Sequence, residues 1–130
     1  MLGKGSGVGI HILDGDTGAS ARLAIPTKTT DAQRTEALGP ALACLFIAHL
    51  FFENVDFFGD SKYVVGLLNR EFLSVDYFLS SCIELVTDLL AKQKHFKATW
   101  IPRAQNTICD ALARSAVHQG CVSVECSEQF

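Results

Sequence analysis

Three carboxylates stand where elements of this chain should begin or end, and together they have the composition of a hard-cation site. Asp60 closes an apolar run, at the carboxyl end of a predicted strand, where α/β proteins place ligand sites. Glu36 lies two turns into the first predicted long helix, and Asp110 lies in the first turns of the last one, one turn beyond Asn106. Ions such as Mg²⁺ require oxygen ligands, and a carboxylate cluster supplies both ligands and charge. Two such ions about 3.5–4 Å apart activate a water and stabilise the leaving oxygen of a phosphodiester. Each residue also has a local alternative. Asp60 or Ser61 would cap the following helix, Glu36 would be a solvated helix residue, and Asp110 would pair with Arg114 four residues on.

The elements that must position them follow from the pattern. Val8–Leu13 is β-branched and apolar and ends in Asp14-Gly15-Asp16-Thr17-Gly18, a hairpin turn signal. Ala19–Ile25 reads as the return strand, stopped by Pro26. Thr30 to Gln33 fits a capping box and predicts a helix toward Leu50. Its apolar stripe is Ala37, Leu38, Ala41, Leu42, Leu45 and Ala48, and a kink or break is expected at Pro40. Val55–Phe58 reads as a buried strand, Ser61–Leu68 as a helix, and Val75–Lys92 as a second helix with Phe78, Cys82, Leu85, Val86 and Leu89 on one side. Phe96–Ile101 is a strand stopped by Pro102, and Asn106–His118 is a helix ended by Gly120. A hairpin combined with βαβ crossovers implies a mixed sheet with helices packed on it. Residues 121–130 carry no clear signal.

Composition narrows the classes. With 130 residues, 48% hydrophobic and 19% charged, the chain suits one folded domain rather than disorder. Its net charge of −3 disfavours a nucleic-acid binder working by bulk positive charge. The five cysteines are odd in number, widely spaced and lack a CxxC pair. That argues against a zinc site or a disulfide framework and for a reducing, intracellular compartment, cytoplasm or nucleus. Ala37–Phe52 is the longest uncharged stretch. It falls short of the ~20 residues that span a bilayer, so no membrane partner is expected.

Three segments resemble type 1 ribonuclease H domains of the retroelement and archaeal-like branch. Val55–Val65 resembles the strand-Gly-Asp-Ser-helix segment. Thr29–Leu38 is similar to the first-helix entry in which Glu is a metal ligand. Ile101–Ala113 resembles the Val-Pro-Arg-x-x-Asn-x-x-x-Asp-x-Leu-Ala run. The likeness covers Gly7 to Val117 in order.

It implies a ribonuclease H-like α/β fold, with a mixed central sheet, helices on both faces, and residues 1–120 as the domain. Glu36, Asp60 and Asp110 would be catalytic metal ligands for Mg²⁺, with Mn²⁺ as the alternative ion. The implied reaction is endonucleolytic hydrolysis of the RNA strand of RNA–DNA hybrids, leaving 3′-hydroxyl and 5′-phosphate ends. Ser61, Asn106 and the glycine-rich start would contact RNA 2′-hydroxyls, and Arg103 would approach a phosphate. An adjoining reverse transcriptase or other basic domain would supply affinity. The resemblance also implies a fourth carboxylate, an Asp ending a first strand just upstream of the hairpin. That strand is expected to be missing, so the chain as written should cleave weakly or not at all. Asp14 and Asp16 lie in the turn and do not replace it. The alternatives are a non-catalytic module of the same fold and an aspartic protease. The protease rests on Asp16-Thr17-Gly18-Ala19-Ser20 alone, a word the turn already explains.

Overall fold

The structure, a computed structural model, describes residues 6–29, 31–48, 54–91 and 95–127. Its elements run β1 (Ser6–Leu13), β2 (Ser20–Thr27), α1 (Ala32–Ile47), β3 (Asn54–Gly59), α2 (Lys62–Leu68), α3 (Tyr77–Leu89), β4 (His95–Trp100), a 3₁₀ turn (Arg103–Gln105), α4 (Thr107–Gln119) and β5 (Ser123–Cys126). Among the described residues the strands form two sheets, antiparallel β1-β2-β5 and parallel β3-β4. Both strand senses of the expected mixed sheet are present, and the chain divides into two compact units. One comprises residues 1–35 and 107–130, the other residues 36–106.

In the first unit the hairpin forms as its turn residues dictate. Asp14 Oδ1 accepts from the Asp16 amide at 2.9 Å, and Gly18 takes φ +76°, a conformation natural to glycine. This turn occupies the protease-like word. β2 runs on through Pro26 to Thr27 rather than stopping. β5 pairs only with Ala21–Ala24, so Pro26 lies past that ladder, where its missing donor deprives β5 of nothing. β5 itself is an element the sequence reading left without a signal. Four residues are too few to show a period, and the pairing with β2 creates the strand.

The register pairs Gly7 with Pro26, Gly9 with Ala24 and His11 with Arg22, which sets these six on one face. α4 packs on that face so closely that a β-carbon on Gly7 or Gly9 would run into the carbonyl oxygens of Ala113 and Cys109. At the start of β1, Ser6 Oγ donates to Thr29 O at 2.7 Å and meets the Thr27 and Thr35 hydroxyls at 2.7 and 2.8 Å. α4 ends at Gly120, φ +69°, whose amide donates to Ala116 O at 2.9 Å.

In the second unit, α1, α2 and α3 bury a core that includes Ala37, Ala41, Cys44, Val65, Leu67, Leu79, Ile83, Val86 and Ala98. α1 is one helix across Pro40, which is buried within it, so the expected break does not occur. Burial of the ring on the core stripe offsets the lost backbone bond. The stripe is Ala37, Pro40, Ala41 and Cys44, and Leu45, 49% exposed, falls about a quarter turn off it. The described cap of α1 is Asp31, whose Oδ1 accepts from the Arg34 amide at 2.9 Å. Thr30 and the predicted end at Leu50 lie outside the described residues. α3 buries Leu79, Cys82, Ile83 and Val86, with Phe78, Leu85 and Leu89 at the margin. β3 is not the buried strand expected. It alternates, with Asn54, Asp56 and Phe58 exposed and Val55 and Phe57 packed against the core. Along β4, Asn69 closes the outer edge by copying a strand. Its Nδ2 donates to Ala98 O at 2.8 Å, and its Oδ1 accepts from the Ala98 amide at 3.1 Å.

Candidate active site

The parallel register pairs Gly59 with Trp100, so β3 and β4 exit side by side. A further bond, Ile101 N–H to Gly59 O at 2.9 Å, holds the two exits together. Asp60 therefore emerges next to the segment Ile101–Asn106.

Which residue caps α2 decides what Asp60 is free to do. Ser61 takes the capping position, its Oγ accepting from the Val64 amide at 3.2 Å. The Asp60 carboxylate is thus not consumed by the helix. It is turned instead toward the 3₁₀ turn, which Pro102 starts and which closes through Gln105 N–H to Pro102 O and Asn106 N–H to Arg103 O, both 2.9 Å. Asn106 Nδ2 donates to Asp60 Oδ2 at 3.2 Å. Arg103 Nε stands 3.6 Å from the same oxygen. Among the described residues no hydrogen bond reaches Oδ1.

Two neighbours were not singled out in the sequence reading. Trp100 Nε1 donates to the Asp60 carbonyl at 3.0 Å, and Lys62 Nζ lies 4.6 Å above the Trp100 ring. The available signal was the chain's single tryptophan at the end of a strand, directly before Ile-Pro. These contacts fix the backbone of Asp60 while the turn fixes its side chain.

The other carboxylates have simpler surroundings. Glu36, in the second turn of α1, is half-buried and makes no hydrogen bond or ion pair with the described residues. Asp110 sits in the first turn of α4, where the helix dipole favours an anion. Its Oδ2 pairs with Arg114 Nη2 at 2.9 Å, the i,i+4 contact the spacing allows. The structure therefore brings together Asp60, Arg103 and Asn106, with Ser61 adjacent in sequence. Glu36 belongs to the same unit as Asp60, and Asp110 to the other.

Asp60 is a sheltered carboxylate with one oxygen committed to protein donors and the other uncommitted to described residues. Among the described residues no group of three or more His, Cys, Asp or Glu is gathered to hold a metal. A shallow depression of about 300 Å³ lies between β2 and α4, lined by Arg22, Thr107, Ile108, Ala111 and Leu112. It includes none of the candidate residues. Gly7 and Gly9, the glycines of the glycine-rich start within the described residues, are covered by α4. No described helix is long and apolar enough to cross a membrane.

A sequence profile of the family described as reverse transcriptase-like matches residues 4–116. Among curated proteins, sequence comparison finds no match. Solved structures share the fold. The ribonuclease H1 of the halophilic archaeon Halobacterium salinarum NRC-1 superposes with a TM-score of 0.68 at 20% identity, over 87% of this chain and 96% of that one. The N-terminal ribonuclease H domain of rv2228c from Mycobacterium tuberculosis gives 0.68 at 18% identity, over 85% and 96%. A foamy viral protease-reverse transcriptase, solved in complex with an RNA/DNA hybrid, gives 0.60 at 15% identity, over 85% of this chain and 19% of that one.

Proposed function

Because the chain belongs to the reverse transcriptase-like family and has the ribonuclease H fold, we propose that it engages RNA–DNA hybrids and hydrolyses their RNA strand endonucleolytically with a divalent metal. The observation that carries this reading is the state of Asp60. It stands at the exit of β3, is spared from capping by Ser61, and is oriented by Asn106 from the Pro102–Asn106 turn.

In this reading Glu36, Asp60 and Asp110 would hold Mg²⁺, with Mn²⁺ as the alternative ion. When bound, such ions supply a nucleophilic water at neutral pH and charge stabilisation for the departing oxygen. Asn106 keeps the Asp60 carboxylate in one rotamer, so its free oxygen faces a constant direction. Arg103, largely in solvent, reaches a phosphate without acting as a base, since a guanidinium keeps its proton. Ser61 spends its acceptor on the helix and retains its own proton to donate, which suits contact with a ribose 2′-hydroxyl. The net charge of −3 gives little bulk attraction to a hybrid. An adjoining reverse transcriptase or other basic domain is the partner that would supply it. Turnover by these 130 residues alone is expected to be weak or absent, since the resemblance implies four carboxylates and three are assigned.

The net charge of −3 favours a second reading, a module without turnover that relies on a partner for its affinity to a hybrid. The deciding experiment incubates the chain with a labelled RNA–DNA hybrid and Mg²⁺ or Mn²⁺. RNA-strand cleavage that is lost in EDTA and in Asp60→Asn supports the first reading. Hybrid retention without cleavage supports the second, and neither binding nor cleavage overturns both.

A further inference from the structure

The strand β5 has a free edge whose phase is fixed by its pairing. Ser123–Cys126 runs in unbroken register with Ala21–Ala24, and just past it the Ser127 amide donates to Ser20 O at 2.8 Å. Backbone groups of successive strand residues point to opposite sides. Those of Ser123, Glu125 and Ser127 therefore face β2, while those of Val124 and Cys126 face away from it. Among the described residues no strand lies beyond. Side chains alternate as well. Ser123 and Glu125 oppose Ala24 and Arg22 on the α4 face, whereas Val124 and Cys126 oppose Leu23 and Ala21 on the other. Val124 is 50% exposed, Val122 just before the strand is 61% exposed, and Cys126 is exposed. The edge also lacks the devices that keep exposed strands apart. Ser123–Cys126 contains no lysine, no proline and no bulge.

We propose that β5 is the contact through which two copies of this chain associate, strand to antiparallel strand, about a two-fold axis at Val124. Self-complementarity selects a second copy as the occupant, because an antiparallel edge turned on itself satisfies its own free groups. With the axis at Val124, that residue meets the partner's Val124, and Val122 meets the partner's Cys126. These are the outward-facing positions, so each pair exchanges backbone hydrogen bonds. Their apolar side chains come together on one face. On the other face Glu125 lies opposite the partner's Ser123, whose hydroxyl can donate to it. The neighbouring registers are poorer. An axis at Glu125 sets two carboxylates directly opposite each other. An axis at Ser123 sets Cys126 against the partner's Gly120, and φ of +69° at Gly120 takes the chain out of an extended strand. The contact is small. A standard interface buries about 800 Å² per partner, and one short strand supplies less, so the expected Kd is about 10 µM to 1 mM. The association uses none of the candidate site residues and does not depend on the nuclease reading.

The test uses the full chain under reducing conditions, so that the exposed Cys121 and Cys126 do not link copies covalently. Sedimentation equilibrium from about 10 µM to 1 mM should show the mean mass rising from one chain toward two and no further. Over the same range, hydrogen exchange of the Val124 and Cys126 amides should slow. The slowing is about twofold when half the chains are paired, since exchange then proceeds from the free copy. The Ser123 and Glu125 amides, already bonded to β2, should not change. Val124→Lys sets two cations opposite each other across the axis and should stay a single chain at about 1 mM, with circular-dichroism melts to verify its fold. A single chain at every concentration, larger assemblies, or association retained in folded Val124→Lys overturns the proposal. So does slowing that does not alternate along β5. Full protection of the Val124 amide at the lowest concentration also overturns it, since the chain's own residues would then cover the edge. Should Val124→Lys not fold, the exchange pattern of the wild type decides by itself.

Discussion

The backbone of Gly9 lies directly beneath the carbonyl oxygen of Cys109, with no room for a β-carbon between them. Gly7 stands in the same relation to Ala113, four residues further along α4. The match is metric. Two residues of strand advance about 6.6 Å and four residues of helix about 6.0 Å, so two carbonyls of one helix row settle over two glycines of one strand. This sets the height of α4 along β1, and with it the position of Asp110, the residue after Cys109.

Gly9→Ala is therefore expected to destabilise the fold by at least about 1–3 kcal/mol, since the helix backbone must lift for the methyl to fit. Gly15→Ala is the control, because nothing lies within 4 Å of the added atom. Its effect should stay within about ±0.5 kcal/mol. Urea melts of the two variants measure the difference, and equal midpoints would disprove the packing argument.

Asn69→Ala should cost about 1–2 kcal/mol, from two hydrogen bonds to Ala98 that a peptide-like side chain supplies together. The local signature is faster hydrogen exchange of the Ala98 amide. Asn69→Asp keeps the acceptor but sets a carboxylate against the Ala98 carbonyl, so it should not restore the loss.

If the chain cleaves hybrids, Asn106→Ala should lower kcat about 10–100-fold with little change in KM. Residues that orient a metal-binding carboxylate carry effects of this size. Steady-state rates at saturating hybrid check it, and a variant as fast as wild type would remove Asn106 from the site.

His11 contributes a pH dependence to stability. Burial, then the nearby positive charge of Arg22, holds its pKa below the ordinary 6.5. A histidine that resists protonation in the fold stabilises it fully above pH 6.5, and this contribution is lost as the pH falls through the folded value. The urea midpoint should drop between pH 7.5 and pH 5, and the drop should be smaller in His11→Gln.

Thiol reactivity should divide along burial. Cys121 and Cys126 are exposed, whereas Cys44 and Cys82 are buried. Burial pushes the Cys44 thiol up to about 11 and raises Cys82 as well, with Asp76 adding to the second. Disulfide-reagent labelling at pH 8 should modify Cys121 and Cys126 in the native chain and reach Cys44 and Cys82 only after denaturant is added.

Much of this architecture is legible in the residues themselves. The turn at Asp14–Gly18, the cap at Ser61, the stop at Gly120 and the exits of β3 and β4 each depend on groups within a few positions of one another. Motif order likewise pointed to Asp60, Arg103 and Asn106, which the fold gathers. Where the reading differed, distant contacts decided. Pro40 is buried within α1, β3 packs only its Val55 and Phe57 side against the core, and β5 exists by pairing with β2.

The amino-acid sequence by itself determined the order of elements, their local starts and stops, and the identity of the carboxylates worth watching. Those properties are encoded in neighbours, whose hydrogen bonds close loops of three or four residues. Tertiary structure alone decided that Asn106, 46 positions away, orients the Asp60 carboxylate. It also decided that glycines of a strand receive the carbonyls of a helix. Such contacts depend on how strands register and helices settle, and no short-range pattern carries that information.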